Sequence, residues 1–309
     1  MEDDILKFHP DTVTVVRKWN NLERQEEIDQ LVDSLRDWLK KQYHLTKKDY
    51  SREYLERCLI LTKGSVEKVK IQIGKICSLR TILPKIFQNC DARNGYNSLN
   101  GVGALALLPQ LTEDHYRIFT LKILGDGLTK KAYADGVSFI IFFCEYLRMR
   151  DYVNGLVIIL DYRDVNVMEY LTAIDFTEVH SFITILVHGY GMRIKNIHAI
   201  TSSKRLKAIV DILKKMFGPK MASRFQIHDD VKTLHEYVPK NILPSELGGE
   251  ERSIVTLFEE WRDVLSNESN KQFFKEMSRA VSNESSRMKE KLSGMDLGLA
   301  GSFRSLSVD

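Results

Sequence analysis

The 309-residue chain is short of several things, and each shortage narrows what it does. Its four cysteines, Cys58, Cys77, Cys90 and Cys144, are widely spaced and form no CxxC pair. They read as reduced, mostly buried thiols rather than a disulfide framework, which suits the cytosol. Neither GxGxxG nor GxxxxGK[ST] occurs, and there is no GxSxG elbow, so nucleotide binding and serine-type acyl hydrolysis lack their signatures. The eight histidines are scattered, and His180 and His188 are too far apart for the i, i+4 pair of a helical metal site. Asp161, Asp164 and Asp175 are expected to cap and turn the chain rather than to move protons. The longest mainly apolar run, Val137 to Cys144, is far too short to cross a bilayer. The acidic start Met-Glu-Asp-Asp-Ile has no signal-peptide pattern. A formal net charge of only +3 gives no global attraction to nucleic acid. The expectation is a cytoplasmic monomer with no enzymatic activity, cofactor, metal or nucleic-acid partner.

What is present is ordinary in amount but organised in pattern. Apolar residues make up 43% and charged residues 28% of the chain, and this length buries a large core without staples. Between residues 22 and 42, Leu22, Ile28, Leu31, Val32, Leu35, Trp38 and Leu39 recur at helical steps. Tyr50 to Leu61 gives a second helix. Lys63-Gly64-Ser65 breaks it, Ser65 caps the next, and Val66 to Phe87 completes a small helical module over residues 1–90. No residue in this module asks for a chemical role.

After Asn89 the pattern changes. Gly101 to Leu108 is small and apolar, and Tyr116 to Leu124 reads as a strand. Lys130 to Met149 is a helix whose centre is apolar all round, so it must be covered on every side. Leu156 to Leu160 is a continuous aliphatic run, as in a strand buried on both faces. Phe176 to Val187 is another apolar helix, followed by strands Met192 to Ile200 and Phe225 to His228. Strands alternating with helices of this length imply a parallel or mixed sheet with crossover helices. Glu250 to Leu265 is a further helix, and Asn270 to Leu292 a more polar one. The parts are expected to divide as 1–90, 91–250 and 251–309.

The helix Arg205 to Phe217 is the informative one. Leu206, Ile209, Val210, Leu213 and Phe217 form an apolar stripe on it. From Arg193 to Arg224 there are nine cations against the single anion Asp211. The plain reading is a solvated face. The functional one is a patch for anionic lipid headgroups on an amphipathic helix.

Several segments, in order, resemble the CRAL-TRIO (Sec14-like) lipid-transfer family, in the branch of the alpha-tocopherol transfer protein and the cellular retinaldehyde-binding protein. Leu35-Arg-Asp-Trp-Leu-Lys-Lys41, Tyr54-Leu-Glu-Arg-Cys-Leu59 and Leu79-Arg-Thr-Ile-Leu-Pro84 are similar to its helical N-terminal module. Asn154-Gly155, Ile158-Ile-Leu-Asp161, Met192-Arg-Ile-Lys-Asn-Ile-His198 and Ile242-Leu-Pro-Ser-Glu-Leu-Gly-Gly249 are similar to its lipid-binding domain. The ending Gly301-Ser-Phe-Arg-Ser-Leu-Ser-Val-Asp309 resembles that of many invertebrate members. The resemblance implies an α/β fold: the helical module, then a mixed, largely parallel sheet flanked by helices, with a mobile lid helix at Arg205 to Phe217. It places the ligand pocket at Val137, Ile140, Cys144, Leu156, Leu160, Ile185, Leu186, Tyr190, Met192 and Ile197. It places phosphoinositide contacts at Arg193, Lys195, Lys220 and Arg224, all basic. The chain also departs from the family. The Arg-rich motif of the second helix reads Leu59-Ile-Leu-Thr62, with only Arg57 kept before it. The glycine before the strand at Asp114-His115-Tyr116 is missing. The serines that meet a tocopherol hydroxyl are Ile140 and Cys144. The implied function is a carrier for one tocopherol, retinoid, carotenoid or similar isoprenoid, exchanged at phosphoinositide-containing membranes. A non-catalytic scaffold of the same fold is the alternative.

Overall fold

The structure is a computed structural model that describes residues 5–216, 218–283 and 285–286. Phe217, the end of the expected helix to Leu292 and the ending at residues 301–309 lie outside the described residues.

The N-terminal helices are α1 (Thr12–Trp19), α2 (Gln25–Lys41), α3 (Arg52–Leu61), α4 (Val66–Ile82) and the short α5 (Pro84–Phe87). The apolar spacing of α2 buries Ile28, Val32, Leu35 and Leu39 on one side. Ser51 starts α3 by accepting from the Tyr54 amide, and Ser65 starts α4 by accepting from Lys68. The single helix expected over 66–87 is in fact two. Pro84 cannot donate to the ladder and its ring crowds the preceding turn, so α4 stops at Ile82.

The sheet has five strands in the order β1-β2-β3-β4-β5: β1 (Gly103–Leu111), β2 (Tyr116–Ile123), β3 (Gly155–Asp161), β4 (Ile194–Ile200) and β5 (Phe225–His228). β1 and β2 run antiparallel, and every other neighbouring pair is parallel. The parallel pairs are linked by helices: α6 (Lys130–Arg150) between β2 and β3, then α7 (Val167–Ala173) and α8 (Phe176–Ile183) before β4. α9 (Lys204–Met216) and α10 (Pro219–Ala222) precede β5, and α11 (Ile254–Leu265) and α12 (Glu268–Ser278) follow it. The fold is mixed α/β with a mostly parallel sheet, as the alternation implied.

Two local features set the geometry. β2 is entered through His115, whose φ of 55° is left-handed. This is the position where the resemblance expects glycine. His115 Nδ1 lies 3.2 Å from Thr12 Oγ1, and its ring meets those of His9 and Trp19 edge-on. Contacts from the N-terminal segment therefore hold a backbone conformation that costs a non-glycine residue on the order of 1 kcal/mol. α8 does not run on as a regular helix to Val187 but widens into a π-helical turn, Thr184–Gly189. The terminal carbonyls of Gly189 and Tyr190 accept from the buried Arg148 guanidinium at 3.1 and 2.6 Å. That arginine satisfies groups that a helix end leaves without partners.

Candidate ligand cavity and basic groove

One face of the sheet is the floor of a partly enclosed apolar cavity of about 190 Å³. The period of two selects the floor residues: Leu156, Ile158 and Leu160 along β3 with Tyr162 just past its end, and Phe119, Leu121 and Ile123 along β2. A helical stripe supplies one wall, from Tyr133 and Val137 through Ile140 and Cys144 to Leu147 on α6. Val179, Phe182, Ile183 and Leu186 supply another from α8 and the π turn. Among the described residues of α9, Leu213 alone reaches the lining, although Leu206, Ile209 and Val210 are also buried. Burial pushes the Cys144 thiol far up, so it stays neutral.

Of the ten residues expected at the pocket, Val137, Ile140, Cys144, Leu156, Leu160, Leu186 and Ile197 are brought together around this cavity. Ile185, Tyr190 and Met192 are not among its lining residues, although all three are buried. The π turn rotates the chain after Leu186. The Tyr190 hydroxyl donates to Glu145 Oε1 at 2.6 Å, beside the buried Arg80–Glu145 ion pair. Met192 lines a different space, the groove described next. Sequence reasoning missed the three tyrosines, Tyr133, Tyr162 and Tyr170, at the cavity's edge. Tyr133 falls on the α6 stripe and Tyr162 on the β3 alternation, so both were within reach of the spacing argument.

Next to the cavity lies an open groove of about 810 Å³. Ile183 and Ile194 line both spaces. Among the described residues, six cations line the groove, Lys63, Lys68, Arg193, Lys195, Lys220 and Arg224, and no carboxylate does. All four expected phosphoinositide positions are thus collected in one place. Lys63 and Lys68 join them from the helical module, which sequence reading left without a role. Among the described residues, five of the six make no ion pair, and the sixth, Lys195, pairs with Asp114. Arg193 is fixed by amide oxygens instead, donating to Asn20 Oδ1 at 2.6 Å and Asn154 Oδ1 at 2.9 Å. Burial lowers its pKa from the usual arginine value. Arg224 donates to the Ile194 carbonyl. Arg57, kept from the Arg-rich motif, does not line the groove. It donates to the Met149 carbonyl at 2.7 Å and stacks on Tyr152, tying α3 to the end of α6.

An apolar cavity on a mostly parallel sheet, beside a cationic groove shared with an N-terminal helical module, defines a class of fold and site. Family comparison agrees: a CRAL/TRIO domain matches residues 112–249, and a Pinta-like UBA domain matches residues 24–95. Residues 112–249 are thus a CRAL/TRIO domain. It is 29% identical over 239 residues to an alpha-tocopherol transfer protein-like protein of Mus musculus, covering 76% of this chain and 68% of that one. The Homo sapiens protein of the same description is 28% identical over 255 residues, covering 81% and 72%. Among solved structures it is similar to the one titled "Crystal structure of Sfh5", with 16% identity, a TM-score of 0.48, and coverage of 82% of this chain and 93% of that one.

Proposed function

We propose that the protein is a carrier that holds one hydrophobic small molecule of the isoprenoid type in the cavity and exchanges it at phosphoinositide-containing membranes. The observation that carries this reading is the adjacency of the two spaces: a partly enclosed apolar cavity that shares Ile183 and Ile194 with a groove lined, among the described residues, by six cations and no carboxylate. Relatives described as alpha-tocopherol transfer protein-like support the lipid class, and the absence of serine at positions 140 and 144 leaves the choice among isoprenoids open.

Removing apolar ligand area from water drives binding, at roughly 25 cal/mol per Å². Phosphate groups of a lipid headgroup enter the groove and meet Lys63, Lys68, Arg193, Lys220 and Arg224. At about 190 Å³ the closed cavity is smaller than the roughly 300–1,000 Å³ of drug-sized sites, so loading a whole isoprenoid requires a wall to yield. α9 is the wall that yields in this reading, because among its described residues Leu213 alone reaches the lining. Its other apolar residues exchange protein for bilayer when it opens, which keeps the cost within reach. Exposed apolar side chains support a surface that meets lipid: Met168 (59%), Leu171 (43%) and Phe176 (40%) on α7 and α8, and Ile212 (48%) on α9.

Transfer of a fluorescent isoprenoid between vesicles tests the reading. The rate should rise with phosphoinositide content and fall with salt, since surface charge is screened within about 8 Å at physiological ionic strength. Equal transfer from neutral vesicles would remove the groove from the mechanism, and a protein that retains no apolar ligand would favour the scaffold.

A further inference from the structure

Among the described lining residues, the charged and hydroxyl-bearing side chains, Lys122, Tyr133, Tyr162 and Tyr170, lie toward one end of the cavity. The chain runs from Leu156 on β3 to Tyr162 just past it along the floor, and at the Tyr162 end three tyrosines come together from three elements: Tyr133 of α6, Tyr162 after β3, and Tyr170 of α7. The Tyr162 and Tyr170 hydroxyls are 3.2 Å apart, and the ring centroids of Tyr133 and Tyr170 are 6.3 Å apart. A hydroxyl pair uses one of its two protons, so one donor is left over. Among the described residues the Tyr133 hydroxyl makes no hydrogen bond. The cluster therefore borders an apolar space with hydrogen-bonding capacity unspent, which is costly unless something fills it.

Charge decides what that something is. Lys122 also lines this end, but its amine is taken by Asp161 at 3.1 Å and by Asp164, and Arg163 pairs with Asp161 at 2.7 Å. Two cations and two carboxylates leave no positive charge over. Burial holds all three tyrosines above their ordinary value, so they stay neutral donors. A carboxylate head would be buried here without a counter-charge. A pure hydrocarbon would leave the donors unmet.

We infer that the Tyr133–Tyr162–Tyr170 cluster is the head-group site of the cavity and takes a neutral oxygen, an alcohol or a carbonyl, at the end of an apolar chain, whose tail then runs toward Ile194 and the basic groove. This rests on the cavity reading above and adds the orientation and the head-group class to it.

The test is equilibrium binding of three probes with one skeleton: farnesol, farnesoic acid and the hydrocarbon farnesene, at neutral pH. Farnesol should bind tightest, with the acid and the hydrocarbon each about tenfold weaker. The double variant Tyr133→Phe, Tyr170→Phe should weaken farnesol about tenfold and leave farnesene within twofold. Both changes keep the ring, and thermal midpoints of the single and double variants check that the fold is intact. Farnesoic acid binding as well as farnesol, or farnesol indifferent to the double variant, would overturn the head-group site while farnesene binding keeps the cavity reading standing. Failure of all three probes, farnesene included, would overturn both.

Discussion

Arg193 is held by Asn20 and Asn154 rather than by a carboxylate. Amide oxygens orient a guanidinium without cancelling its charge, so the full charge remains for a phosphate. Lys195 is the opposite case, because Asp114 already occupies it. The two predict changes of opposite sign. Arg193→Gln should weaken binding to phosphoinositide vesicles about fivefold, as expected when a cation worth on the order of 1 kcal/mol is lost. Asp114→Asn should strengthen it, by freeing Lys195. Co-sedimentation with and without phosphoinositide reads both. A third residue carries a pH dependence. His198 is fully buried beside His228, with its Nδ1 3.0 Å from His228 Nε2, and burial lowers its pKa to about 4. A histidine kept neutral in the fold but free to protonate near 6.5 when unfolded stabilises the fold above that value. The stability should fall as pH drops from 6.5 toward 4, by on the order of 3 kcal/mol in all. Denaturant midpoints across that range check it, and His198→Gln should flatten the slope.

At the scale of elements, β3 and β4 come together at a glycine. Gly155 opens β3 at φ 146°, and a Cβ there would collide with the Arg193 carbonyl. Gly155→Ala should cost roughly 1–3 kcal/mol, read from the denaturation midpoint, and should disturb Arg193 with it. α9 is tied at its start by an ion pair from Lys207 to Asp229, with the aspartate largely exposed. Such pairs contribute up to about 1 kcal/mol, so Asp229→Ala should leave the thermal midpoint nearly unchanged while speeding ligand exchange severalfold, if α9 is the wall that opens. These elements differ in how plainly the sequence announces them. The aliphatic run of β3 and the basic amphipathic pattern of α9 are strong local signals, and both elements fall where the spacing puts them. β1 carries an apolar run without alternation, so its strand character comes from pairing with β2, which spacing alone does not reveal. The π turn after α8 is invisible for a similar reason: it depends on Arg148, some forty residues earlier, taking up the Gly189 and Tyr190 carbonyls. Tyr190 instead bonds Glu145 and Met192 lines the groove, placements that strand and helix periods do not reveal.

For the whole molecule, function lives in the placement of two spaces side by side, and neither space belongs to one segment. The cavity draws on strands and helices spread from Leu99 to Phe225. The groove needs Lys63 and Lys68 from the helical module as well as the four cations beyond residue 192. Sequence patterning finds the apolar stripes and the basic stretch, but it has no means of telling a wall that faces a void from one that faces other side chains. Only the assembled fold separates them, which is why seven of the ten expected pocket residues surround the space and three do not. The void itself is therefore the feature to challenge. Val137→Phe places a ring in it from the α6 wall, and filling a cavity of this kind commonly leaves stability equal or higher. The decisive measurement is native mass spectrometry of the purified protein after incubation with isoprenoid-loaded vesicles, wild type beside Val137→Phe. One apolar molecule per chain in the wild type, and none in a variant that is folded and equally stable, is the predicted result. A wild-type mass equal to that of the bare chain, or a ligand retained in full by the filled variant, would contradict it.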